Sequence, residues 1–298
     1  MSANAHSDKH GARTRREEGA PRKRARRRRG SSAPVSRAFV AINFVCVIIP
    51  IVIIAIWAFA DRWTWPDLLP QEFSLRGFEE VLSGRLGTGV PMILQSIGIA
   101  FATAFLATAV AALAARAISH YRWRGKTLFS FSVILPFIIP TTVFAMGVQV
   151  LFIHAGIART VPGVILSHTI VALPYAILIM SDVTKAAGTR LEEAARTLGA
   201  GRIATALHVT VPSILPGILS SLSMSYIMSF SQYFLTLLIG GGTVRTFAVV
   251  LFPYLSSGDR TIAGAYGLTF IAITFLVFLF FELLLKRFGL KEERNLYG

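Results

Sequence analysis

The chain has 298 residues, of which 54% are hydrophobic and only 15% charged. A soluble domain carries about 25% charged residues, and here the charges lie in short blocks between apolar runs, which excludes a soluble domain and points to a polytopic membrane protein. The net charge of +15 resembles a nucleic-acid signature, yet its densest block, Arg13 to Arg37, sits just before the first apolar run, as a positive-inside anchor against anionic lipid does; no nucleic-acid partner is expected.

In chain order, residues 1–37 read as a disordered basic tail. Its His6 and His10 share a four-residue spacing but make an improbable metal site. The first apolar run covers about 38–60, longer than a signal-peptide core and without a clear cleavage site, so an uncleaved signal anchor is expected. Cys46, the only cysteine, lies in this run and rules out an intramolecular disulfide. Residues 61–89 carry Trp63, Trp65 and Phe78, read as interfacial belt anchors or as contacts to an external partner.

Five more apolar runs follow, at about 90–115, 128–153, 162–181, 214–239 and 263–285, each near the roughly 20 residues a spanning helix needs. Pro136, Pro140 and Pro174 fall inside the third and fourth runs and predict kinks; Pro216, near the start of the fifth, costs little. Basic residues gather in alternate loops: Arg116, Arg122, Arg124 and Lys126; Lys185, Arg190, Arg196 and Arg202; then Lys286, Arg287, Lys291 and Arg294. With six spans every basic loop falls on one side, which predicts cytoplasmic N- and C-termini and a cytoplasmic hairpin at 182–213 in the plasma or inner membrane. The fold class is therefore all-α and polytopic, with six transmembrane helices and a hairpin between the fourth and fifth.

The hairpin carries the most chemistry. Thr189-Arg190-Leu191-Glu192 fits a capping box, in which the Thr hydroxyl accepts the N3 amide and Glu192 reaches back to the Thr amide. Glu192 and Glu193 stand in the first turn, where the helix dipole favours negative charge. Leu191, Ala194, Ala195 and Leu198 fall on one face, and Gly199 suits a left-handed stop. A short helix over about 202–209 is expected next, until Pro212 sends the chain back into the membrane. A lipid-binding face would carry bulkier side chains than Ala194 and Ala195, which favours docking to another protein; an amphipathic connector lying on lipid is the alternative.

This stretch resembles the EAA loop of permease subunits from binding-protein-dependent type I ABC importers. Glu193-Ala194-Ala195 is followed by three residues and Gly199; nine more lead to Val209, then Thr210 and Val211-Pro212. Every spacing matches the family pattern. Val209 stands where the family has an Ile-like residue and Val211 where it has Leu. The resemblance extends over roughly 90–287, with Ser167-His168 and Leu173-Pro174 resembling the span before the loop in the spermidine/putrescine-type branch. It implies an importer core domain over 90–287, preceded by the first span and external loop at 38–89 and followed by a cytoplasmic tail at 288–298. It also implies three partners: a cytosolic ABC ATPase dimer, a second permease as homologue or copy, and an extracytoplasmic substrate-binding protein. The coupling residues it implies are Glu192, Glu193, Ala194, Ala195, Leu198, Gly199, Arg202 and Pro212, with Glu193 as a polar contact to the ATPase and Gly199 as the bend that fits its cleft. The branch suggests a polyamine-like solute; iron, thiamine and phosphonate remain alternatives.

The chain is not expected to hydrolyse ATP. Gly125-Lys126-Thr127 supplies only the end of a Walker A pattern, because His120 stands where its first glycine would be. No cofactor or metal site is expected. Polar positions within the spans are the candidates for a translocation path: Ser225, Ser229, Gln232 and Tyr233, with Gln149 weaker because interhelical bonding explains it. Ser221, Ser225 and Ser229 repeat every four residues, which fits a helix-packing seam equally well. His154 and His168 read as interfacial or packing residues. Glu282 lies four residues before Lys286, an i,i+4 pair. An ion-coupled secondary transporter would bury an acidic residue or histidine mid-span, at about 2.5–3.5 kcal/mol for a charge. An intramembrane enzyme would need a nucleophile–base pair or a metal cluster. The sequence offers neither a deep acid nor such a site.

Overall fold

The computed structural model describes residues 32–63, 67, 69–84 and 89–296. His6, His10, the basic residues Arg13 to Arg29 and Trp65 lie outside the described residues. The chain divides into two compact units, Met1–Val47 and Ile48–Gly298. In the first, the described side chains belong to helix α1 (Ser32–Phe59) and are exposed. Asn43 there donates from Nδ2 to the Phe39 carbonyl at 2.8 Å, which gives a polar amide a partner within its own helix.

The second unit is helical because lipid offers no hydrogen bonds and each spanning segment must satisfy its own backbone. After α1 a two-stranded antiparallel hairpin, β1 (Ala60–Arg62) with β2 (Glu72–Phe73), pairs Ala60 with Phe73. Helix α2 (Arg76–Ser83) follows, and Arg76 bridges Asp61 and Asp259, each at 3.3 Å. Trp63 stacks on Trp57 at 4.4 Å and Phe78 meets Phe59 at 5.0 Å. Both aromatics therefore pack against the end of α1.

Three long helices build the centre: α3 (Gly89–His120), α6 (Val161–Ala187) and α9 (Val211–Phe230). Ala100, Ala104, Ala107, Ala111 and Ala115 are fully buried along one face of α3. A small-residue stripe lets helix axes approach where lipid supplies no hydrophobic drive. Gly217 on α9 does the same against α6: a Cβ there would stand 2.8 Å from the Val183 Cβ. Ser221, Ser225 and Ser229 lie inside this seam, and Ser221 Oγ meets Thr108 Oγ1 at 3.0 Å.

Two apolar runs are broken where the sequence reading kept them whole. The third run is two helices, α4 (Lys126–Ile138) and α5 (Thr141–His154), bent by 106°. Pro140 supplies no N–H and holds Ile139 extended, at φ −78° and ψ 128°, so the helix cannot continue. The fifth run stops at Phe230; residues 231–233 turn, and α10 (Phe234–Gly240) ends on left-handed Gly241. An apolar helix the sequence reading missed, α11 (Phe247–Ser257), follows. It is tied in by Ser96 Oγ, which accepts the Phe247 amide at 2.8 Å, and by Phe247 rings against Phe230 and Tyr266. The last helix, α12 (Arg260–Leu296), carries the Glu282–Lys286 pair at 3.4 Å. Five described helices are long and apolar enough to cross a membrane, and six spans result if the bent α4–α5 pair counts as one.

Candidate coupling hairpin and path residues

After α6, Gly188 takes φ +65° and releases the chain into α7 (Arg190–Thr197). The expected capping box does not form. Thr189 sits at φ −111° and ψ −8°, and its hydroxyl makes no cap. Glu192 turns inward instead. Its Oε1 accepts Arg116 Nη1 at 2.9 Å and Thr210 Oγ1 at 2.7 Å, while Oε2 accepts Arg116 Nη2 at 2.7 Å. The guanidinium fork and then the Thr210 hydroxyl hold this carboxyl below its ordinary range against the opposing effect of burial. A bidentate ion pair outweighs a single capping bond, so the Glu192 side chain turns to Arg116 and Thr210 rather than back to the Thr189 amide.

Glu193 beside it is exposed, as are Ala194 and Arg202, while Ala195 is half-buried. Gly199 at φ +88° closes α7: its amide donates to the Arg196 carbonyl at 3.0 Å and the Ala200 amide to the Ala195 carbonyl at 3.0 Å. This double bond pattern satisfies the last carbonyls, and its left-handed position is one that glycine takes without strain. The return arm begins as α8 (Arg202–Thr205) and widens into a π-turn over 206–210 before α9. The Val211 amide donates to the Ala206 carbonyl, one residue further back than in an α-helix. Pro212 then falls in the first turn of α9 and breaks nothing. The expected redirection at Pro212 is thus corrected: residues 202–230 form one continuous helical arm. Outward, the hairpin presents Leu191, Leu198, Ile203 and Leu207, with Leu198 88% and Ile203 77% exposed.

The path candidates separate into two groups. Ser225 and Ser229 are buried within the helix seam and face no open space. Gln149 donates from Nε2 to the Leu238 carbonyl at 3.2 Å, an interhelical bond. Tyr233 stacks on Phe252 at 4.0 Å. Gln232 alone of the five lines a cavity of about 400 Å³ at the α4–α5 bend, with Pro136, Pro140, Thr141, Phe144 and Tyr175.

A buried polar node stands beside it. His168 Nδ1 lies 2.8 Å from Ser229 Oγ and Nε2 lies 2.9 Å from Thr236 Oγ1. The Thr236 hydroxyl gives its proton to the Gln232 carbonyl at 2.7 Å, so it must accept from Nε2–H, which leaves Nδ1 to accept from Ser229. The network is complete with a neutral imidazole and fixes the turn from which Gln232 projects. The sequence reading left His168 as a packing residue and counted Arg116 only as a loop charge. Glu192 lies 76 residues from Arg116, and Ser229 and Thr236 lie 61 and 68 residues from His168, beyond any local pattern. Among the described residues no group of three metal-ligating side chains forms.

The second unit is thus a bundle of apolar helices with a proline-broken pair beside a small cavity and an exposed hairpin between α6 and α9. Residues 107–290 match the family of binding-protein-dependent transport system inner membrane components, and the chain belongs to that family. It is the multi-pass, non-catalytic permease component of an ABC importer. The spermidine/putrescine transport system permease protein PotC of Haemophilus influenzae is 25% identical over 251 residues, covering 84% of this chain and 96% of PotC. The putative 2-aminoethylphosphonate transport system permease protein PhnV of Salmonella typhimurium is 25% identical over 82% of this chain and 91% of its own length. The crystal structure of a bacterial ABC transporter that imports alginate superposes with a TM-score of 0.62 at 16% identity, covering 84% of this chain and 95% of that one.

Proposed function

We propose that this permease is driven by a cytosolic ATPase seated on the 188–212 hairpin, and that with a second permease it passes a small polyamine-like cation delivered by an extracytoplasmic binding protein. The observation that carries the reading is the hairpin's outward face. Leu191, Leu198 and Ile203 are exposed on the hairpin, next to the exposed Glu193. Exposed apolar side chains beside a charge form the buried core and polar rim of a protein interface. Basic loops on the hairpin side assign that side, with both termini, to the cytosol. Residues 90–287 then form the importer core, with 1–37 and 288–298 as cytoplasmic tails and 38–89 as a first span and external loop. Closure of the ATPase dimer moves the hairpins of both permeases and switches the access of the path between them.

The solute assignment rests on the cavity at the α4–α5 bend. Its lining includes the rings of Phe144 and Tyr175 and the amide of Gln232, and no Lys, Arg, Asp or Glu. Aromatic faces and amide oxygens attract cations, whereas a phosphonate or sulfate would want a cationic partner there. Two related permeases, PotC and PhnV, are equally identical to this chain at 25%, so identity favours neither solute and the lining is what supports the polyamine-like reading.

The test is co-isolation of the tagged permease with its ATPase from membranes, compared with the Glu193→Arg variant. Charge reversal beside the apolar centre of the interface sets a wrong-sign charge against the partner and is expected to weaken the complex by about 30-fold, or 2 kcal/mol. Unchanged recovery of the ATPase with Glu193→Arg contradicts the docking. Titration of the binding protein with spermidine and with 2-aminoethylphosphonate decides the solute.

A further inference from the structure

We infer that Arg116, Glu192 and Thr210 form a strut that delivers movement of the hairpin to α3, which makes them positioning residues of the transport cycle; this rests on the seating of the hairpin in an ATPase proposed above. Helix α7 has little else to hold it. Glu192 is the one buried residue among those of α7, Thr205 the one of α8, and the π-turn has none. A surface helix is ordinarily held by an apolar stripe, but here the large apolar side chains face away from the bundle.

The covalent links into α7 are soft at both ends. Gly188 at φ +65° joins it to α6 and Gly199 at φ +88° begins the turn to α8, and a Cβ at either would meet nothing within 4 Å. Without a further tie, α7 would swing on two glycine joints when its outer face is pulled. The carboxylate of Glu192 removes that freedom. It receives three hydrogen bonds, two from the last turns of α3 and one from the π-turn that leads into α9. The guanidinium fork fixes direction as well as distance, because both oxygens are engaged in one plane. The side chain of Glu192 is only 10% exposed, so water does not compete freely for it. The strut thus joins α7, the arm 202–230 and α3 at one point, and a displacement of the hairpin moves α3 with it.

The experiment uses the complete importer complex in lipid vesicles, with Cys46→Ser and with Gln232→Cys as a reporter in the cavity. A membrane-impermeant maleimide added from the extracytoplasmic side reads access to that position, and no transported solute is needed. In the parent complex ATP is expected to raise labelling by about tenfold as the access population shifts. With Arg116→Ala or Glu192→Gln the complex is expected to assemble and hydrolyse ATP while labelling changes by less than about twofold. The exchanged pair, Arg116→Glu with Glu192→Arg, is expected to recover most of the change, an outcome that a simple loss of packing does not give. A full ATP-driven change in both single variants overturns the inference. So does an exchanged pair that assembles and hydrolyses ATP without recovering the change. Failure of every variant to assemble also overturns it, because the pair is then a requirement for folding. An absent response in the parent complex sinks the ATP-driven function instead and is thereby distinguished.

Discussion

At the hairpin end of α9 a carboxylate and a guanidinium do the holding, whereas at the opposite end, where the helix stops at Phe230, a neutral imidazole does it with two hydroxyls. Both nodes stabilise an irregular turn, a π-turn in one case and the 231–233 break in the other. The difference follows from access to water. The side chain of Arg116 is 32% exposed, so the ion pair keeps part of its hydration. His168 is 1% exposed, and a charge buried inside a spanning helix is costly. A charged node is therefore placed where water reaches the hairpin, and an uncharged node where the bend is closed off from it.

The largest expected effect of breaking this contrast is at the charged end. Arg116→Ala strands a mostly buried carboxylate and is expected to cost about 2 kcal/mol, between the values for exposed and buried pairs. Denaturant unfolding in detergent measures it. His168→Leu removes two neutral hydrogen bonds of the kind that average about 0.6 kcal/mol each in membrane proteins, so about 1 kcal/mol is expected by the same measurement. A larger loss at His168 than at Arg116 would invert the comparison. The smallest effect is the one that pH exposes. Arg116 and then Thr210 hold Glu192 below its ordinary value of 4.5. A depressed carboxyl contributes stability that is fully present above its unfolded value and is lost as pH falls through the folded one. The stability difference between the native chain and Glu192→Gln is expected to stay constant from neutral pH to about pH 5 and to shrink in more acid solution.

What the sequence disclosed, and what it did not, divides along the same line of locality. The spanning helices were legible because about 20 consecutive apolar residues leave few alternatives. Gly199 was legible because a helix stop depends on its immediate neighbours. The break at Pro140 was visible as a kink, but its 106° bend depends on what packs around it. Helix α11 has 11 residues, too short to stand out as a span, and owes its place to Ser96 and the rings of Phe230 and Tyr266. Glu192 was misread because the capping pattern is local, while Arg116 stands 76 residues away and offers two charged bonds against one neutral bond. The four-residue serine repeat located a face of α9 without identifying its neighbours, and the neighbours make Ser225 and Ser229 a seam. Of the five path candidates, only Gln232, just past the end of that helix, lines the cavity.

The central claim is that the outward face of the hairpin is the seat of the ATPase. A photo-crosslinking amino acid in place of Leu198, the most exposed of the hairpin's large apolar residues at 88%, tests it in intact membranes. An adduct with the nucleotide-hydrolysing subunit, lost in the Glu193→Arg variant, is the expected result. An adduct with the extracytoplasmic binding protein, or with lipid alone while the importer is active, would contradict it.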